Sequence, residues 1–225
     1  MTTAIVGVGN IGGALARDLV NGGEPVVLAA NHEVEAEAMA RELGDLARAS
    51  SVEDAIAGAD VVVLALWLDP MREVIGENAG RLDGKVVVDP SNPVALDGSG
   101  QLKRTLPEDE SSGSVVAALL PSGAHFVKAF GTLGAASLAS GANREPKRAV
   151  LFYATDDDMA AAAAEQLIRA AGFDPVKAGG VADSMRIEMG GDLHQSGGLN
   201  GRMLDLDEAR RAAADGGMSA TLTSG

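Results

Sequence analysis

The chain has 225 residues, 46% hydrophobic and 22% charged, with four Phe, one Trp and one Tyr as its aromatic side chains. Lys+Arg 18 against Asp+Glu 32 leave a formal charge of −14, a surface that repels nucleic acid and anionic lipid. The absence of cysteine excludes disulfides, thiolate catalysis and iron–sulfur clusters, and no apolar run is long enough to span a bilayer. With a core strand at its start and no basic leader, a soluble, cytoplasmic protein with no membrane or nucleic-acid partner is expected.

The first thirty residues organise the rest. Ala4-Ile5-Val6 has the length and branching of a buried strand. Gly7-Val8-Gly9-Asn10-Ile11-Gly12 follows, and then a helix whose apolar positions Ile11, Leu15 and Leu19 recur every four residues. Gly22-Gly23 ends that helix, and residues 25–29 read as a second strand. Strand, glycine turn, helix and strand are the context of a dinucleotide fingerprint. Gly7 permits the tight turn and Gly9 lets the backbone approach a pyrophosphate. Gly12 lets the helix sit close to the strand, while Asn10 and Ile11 open its positive end.

The end of the second strand reads the adenosine ribose, where NAD enzymes place an Asp or Glu. Here Ala30, Asn31 and His32 stand instead, so a 2′-phosphate is not repelled. Asn31 and His32 can donate to it, which favours NADP over NAD. Residues 33–43 form a helix, and Ser51 caps a short one after it. The most apolar strand, residues 60–66, ends in Leu66-Trp67-Leu68, expected beside the nucleotide at the carboxyl end of a parallel sheet. A helix over 71–79 leads to a strand over 85–88.

That strand runs into Asp89-Pro90-Ser91-Asn92-Pro93-Val94, whose prolines force an extended loop. Asp89, Ser91 and Asn92 are expected to partner a nicotinamide amide. Residues 97–114 read as a polar, glycine-rich insertion over the crevice, and residues 114–120 as a helix. The strand 125–130 leads into small residues, Gly131-Thr132-Leu133-Gly134, with room for a flat ring. A strand over 149–155 carries Tyr153. Asp156-Asp157-Asp158 caps a helix over 159–171 rather than holding a metal, and a last strand spans 173–178. Helical segments over 181–188 and 205–214 follow, with a tail over 218–225. The whole reads as a Rossmann-type, doubly wound α/β fold with a mainly parallel sheet: a single NAD(P)-binding domain over 1–217 with a small C-terminal helical appendage.

These segments together resemble the F420H2:NADP oxidoreductase family, the NADPH-dependent reductases of the deazaflavin coenzyme F420. The resemblance runs over nearly the whole length and rests on the glycine turn 7–12, Leu66-Trp67-Leu68, residues 89–94, residues 128–133, and Ala178-Gly179-Gly180 opening a terminal helix. It implies that the glycine turn holds the NADP(H) diphosphate and that the strand ends flank the nicotinamide. Coenzyme F420 would be the co-substrate, its ring lined by Gly131, Thr132, Leu133 and Gly134.

The residues fit hydride transfer by positioning, with no catalytic side chain required. Tyr153 has no Lys four residues on, so a Tyr–Lys relay is absent. A histidine acid–base would have to be His125, which opens a strand, or His194, which lies among glycines where it can reach the substrate in the crevice or a partner subunit. Two other readings stand beside the first. One is an NADP-dependent reductase of another small substrate such as an imine, with His194 or Ser91 supplying a proton; the other is a non-catalytic NADP(H)-sensing module. The Ala-rich terminal helices suit a homodimer contact.

Overall fold

The computed structural model describes residues 1–219; of the tail expected over 218–225, residues 220–225 lie outside the described residues. The N-terminal half alternates strand and helix: β1 (Thr3–Val6), α1 (Asn10–Asn21), β2 (Val26–Ala29), α2 (Glu33–Leu43), β3 (Ala47–Ala49), α3 (Val52–Gly58), β4 (Val61–Leu64), α4 (Leu68–Leu82) and β5 (Val86–Asp89). A hairpin of β6 (Val94–Leu96) and β7 (Leu102–Arg104) precedes α5 (Ser112–Leu119), β8 (His125–Ala129) and α6 (Ala135–Gly141). The chain closes with β9 (Val150–Ala154), α7 (Asp158–Ala170), β10 (Asp174–Gly179), α8 (Ser184–Ile187) and α9 (Leu206–Ser219).

Eight strands form one sheet in the order β10-β9-β8-β5-β4-β1-β2-β3. Pairing is parallel throughout except between β8 and β9. Strand order reverses between β1 and β4, whose last residues Val6 and Leu64 are in register. At such a reversal the following helices diverge to opposite faces and leave a crevice at the carboxyl edge. The period of two along each strand splits the core. Ile5, Val63 and Val88 pack on one face with Leu15, Leu19 and Phe173; Val6, Val62 and Val87 pack on the other with Ile56, Met71 and Ile75. A third cluster joins β9 and β10 to the C-terminal segment through Phe152, Val176, Leu193 and Leu204.

Several boundaries differ from the sequence pattern. Helix α4 starts at Leu68, before Pro70, because a proline in the first helical turn forfeits an N–H that has no intrahelical acceptor. The insertion expected over 97–114 is an antiparallel hairpin with Leu96 opposite Leu102, and Ser111 caps α5 by accepting from Ser114 N–H. The short edge strand β3, Ala-Arg-Ala, carries no periodic signal, and α6 is hidden in a run of Ala, Ser and Gly. No helix among the described residues is long and apolar enough to cross a membrane.

Candidate nucleotide site

The crevice has a volume of about 560 Å³ and is lined from several separate parts of the chain. From β1–α1 come Gly7, Gly9, Asn10 and Ile11; from the β4 end, Ala65, Leu66, Trp67 and Pro70. The β5 loop and hairpin give Pro90, Ser91, Asn92, Val94 and Leu102. The far side is Leu133, Gly134 and Ala135, with Met189, His194 and Ser196.

Each glycine of the turn has a distinct geometric reason. Gly7 has φ +97°, and a Cβ there would lie 2.4 Å from the Ala65 carbonyl oxygen. A Cβ on Gly12 would lie 1.9 Å from the Gly7 oxygen, so α1 sits closer to β1 than any side chain allows. Nothing lies within 4 Å of a Cβ position on Gly9, so the space in front of it is open. The first N–H groups of α1 face it without intrahelical acceptors.

Trp67 caps the start of α4 and is 50% exposed at the rim, with Leu102 of the hairpin, 48% exposed, as another lining residue. Asn92 is held at both ends of its amide: Nδ2 donates to Gly131 O at 3.1 Å and Oδ1 accepts from Met189 N–H at 2.6 Å. His194 is buried; Ser196 N–H donates to its Nδ1 at 2.9 Å and its Nε2–H donates to Gly131 O at 3.0 Å. Both nitrogens are therefore used and the ring is held neutral, with desolvation lowering its pKa. A proton-donating role for His194 does not fit this geometry.

Other expected residues lie elsewhere. Asp89 is fully buried, its carboxylate spent on Ser91 N–H and on Lys128, so it offers nothing to a nicotinamide. Gly12 packs α1 on β1 rather than facing the crevice, and Leu68 points into the core. Gly131 is pressed against Pro90, where a Cβ would meet its oxygen at 2.7 Å, because Phe130 takes φ 67° and turns the chain inward. Thr132 is buried with its hydroxyl oxygen unpartnered. Leu133 and Gly134 remain in the wall. Asn31 and His32 are exposed at the end of β2, beyond the cavity.

His125, Asp156 and Asp157 are taken up by contacts within the fold, and Asp158 is exposed at the start of α7. Asp157 accepts from Ala160 N–H at 2.8 Å as the cap of α7 and from His125 Nδ1–H at 2.7 Å, and Asp156 accepts from Val181 N–H. Tyr153 OH donates to Glu165 at 2.6 Å.

A family model described as NADP oxidoreductase, coenzyme F420-dependent, matches residues 2–93, the stretch from β1 to the β5 loop. A solved hypothetical protein, SMa0349 from Sinorhizobium meliloti, is 30% identical; the match covers 86% of this chain and 93% of that one, with a TM-score of 0.77. The chain belongs to the F420-dependent NADP oxidoreductase family. This is a family of NAD(P)-dependent oxidoreductases. A candidate F420-dependent NADP reductase from Arthrobacter sp. FB24 shares the fold at 22% identity, with coverage of 80% of this chain and 86% of its own and a TM-score of 0.70. A reductive aminase from Aspergillus terreus, solved with NADPH and ethyl levulinate, is 18% identical with a TM-score of 0.61; 81% of this chain covers 56% of that one. No protein of curated function matches the chain.

Proposed function

We propose that this family member transfers a hydride between NADP(H) and coenzyme F420 or a similar flat acceptor. The observation that carries this reading is the make-up of the crevice wall. His194 is the one titratable side chain among the lining residues, and both its nitrogens are bonded. A wall of bare backbone at one end and Leu66, Trp67, Leu102, Leu133 and Met189 elsewhere suits two stacked rings, not a side-chain acid–base. When bound, the reduced nicotinamide supplies the hydride. The protein's part is to hold the two ring faces roughly 3–3.5 Å apart and exclude water, an effect worth roughly 7–11 kcal/mol.

On this reading Gly7, Gly9, Asn10 and Ile11 hold the diphosphate, and Leu66 and Trp67 flank the nicotinamide. Leu133 and Gly134 back the acceptor. The β2 end, Ala30-Asn31-His32, lacks the carboxylate that would repel a 2′-phosphate, which supports NADP over NAD. The test is purified protein mixed with NADPH and oxidised F420. Loss of NADPH absorbance with matching loss of F420 absorbance is expected; binding of NADPH with no turnover would point to a sensing role or another acceptor.

A further inference from the structure

Directly behind the Ser91 wall lies a buried cluster of Asp89, Ser91, Ser112, Lys128 and Glu188, each 7% exposed or less. Asp89 and Lys128 are register partners on β5 and β8. The Lys128 ammonium donates to Asp89 Oδ2 at 2.7 Å, to Ser91 O at 2.6 Å and to Ser112 Oγ at 2.7 Å, which uses all three of its N–H groups. Ser112 passes its own hydroxyl proton to Glu188 Oε1 at 2.8 Å, and Glu188 also accepts the Ser112 and Gly113 N–H groups at the start of α5. Asp89 Oδ1 accepts Ser91 N–H at 2.7 Å.

One hydroxyl proton in the cluster has no short acceptor. Ser91 Oγ lies 3.3 Å from Lys128 Nζ and 3.4 Å from Ser112 Oγ. Ser91 is also the member of the cluster that lines the crevice. A cation behind its oxygen draws on the lone pairs and leaves the O–H as the free end. Asn92, the other polar side chain of this loop, is turned to Gly131 and Met189 by a hydrogen bond at each end of its amide.

We propose that Ser91 donates a hydrogen bond to the carboxamide oxygen of a bound nicotinamide, and that Lys128 is the positioning residue that fixes it. The proposal rests on the pyridine-nucleotide reading above. Lys128 holds the Ser91 carbonyl and polarises its hydroxyl; Asp89 holds the Ser91 N–H. Lys128 is not a proton source in this scheme, since losing its proton would strand two buried carboxylates without their cation.

The test compares NADP⁺, or NAD⁺ if it binds more tightly, with the matching ADP-ribose nucleotide that lacks the nicotinamide ring. Binding is read from Trp67 fluorescence, the chain's single indole, in the wild type, in Ser91→Ala and in the shape-preserving double variant Lys128→Met/Asp89→Asn. Both variants are expected to weaken the full dinucleotide about tenfold and the truncated one less than about twofold. Adding Ser91→Ala to the double variant should cost nothing further, because the two act through one bond. Equal losses on both nucleotides, no loss on either, or additive losses would overturn the inference while leaving the nucleotide reading intact. A wild type that binds neither nucleotide overturns both. If the double variant does not fold, the ¹⁵N resonance of the Lys128 ammonium decides: it should shift on NADP⁺ addition in the wild type and stay put in Ser91→Ala.

Discussion

At the β1–α1 end the crevice wall is made by leaving things out: Gly9 leaves open space, while Gly7 and Gly12 let main chain approach main chain. At the β5–β8 end it is backed by charge, with an ammonium and two carboxylates at 1% exposure or less joined by two serines. The first wall is stabilised by close approach of main chain to main chain. The second depends on every buried polar group finding its partner, so removing one strands the others. The same crevice thus has one end sensitive to added volume and another sensitive to lost charge.

Lys128→Met alone tests the second wall most severely. It leaves Asp89 and Glu188 buried without their cation, and a loss of about 3–5 kcal/mol is expected in urea unfolding. Adding Asp89→Asn should recover part of that, since Glu188 keeps its charge; no recovery would mean that the lysine stem, not its charge, holds the strands. On the first wall, Gly12→Ala drives a methyl into the Gly7 carbonyl and should cost about 2 kcal/mol or more. Gly9→Ala meets nothing and should stay within about 0.5 kcal/mol of wild type in the same assay, while weakening NADPH at least about tenfold by calorimetry. If the two alanines behave alike, the division of labour within the glycine turn is wrong.

Asp18 sharpens the contrast, because it is the buried carboxylate near the glycine end without a matching partner. Its Oδ2 makes no hydrogen bond, and burial raises its pKa from 3.8 to about 7 despite the neighbouring Arg17. The folded protein therefore keeps a proton that the unfolded chain releases, so this group's contribution to stability is full below pH 3.8 and is lost as pH rises to about 7. Asp18→Asn should match wild type near pH 4 and exceed it by about 1–3 kcal/mol at pH 8 in thermal melts. His194 acts with the opposite sign. Its lowered pKa costs stability as pH falls below the ordinary 6.5, so an acid limb should persist in the Asp18 variant. The smallest effect belongs to Trp67→Ala, which should leave the melt unchanged and weaken binding of NADP⁺ about three- to tenfold by calorimetry.

The glycine wall was legible in the sequence because its geometry is local: the spacing of Gly7, Gly9 and Gly12 after an apolar triplet states the turn, the open space and the close approach. The charged wall was not, since its bonds join residues 39 and 76 positions apart. A signal was present nonetheless. Lys128 interrupts Phe126-Val127 and Ala129-Phe130 in an interior strand, and Asp89 ends three valines; each is a charge where a core strand has no use for one. Their pairing needed the order of strands. Asn92 and His194 line the crevice, but their hydrogen bonds to Gly131 depend on the fold of Phe130, whose left-handed backbone no pattern of residues announces.

The β6–β7 hairpin forms a two-stranded sheet of its own, separate from the eight-stranded one, yet it carries Leu102 to the crevice mouth. Its tip, Gly98-Ser99-Gly100, can therefore be lengthened or trimmed without breaking a ladder of the main sheet. That makes the hairpin an interchangeable jaw: through it the width of the mouth can drift between relatives, or be recut by an engineer, while the coenzyme end stays as it is.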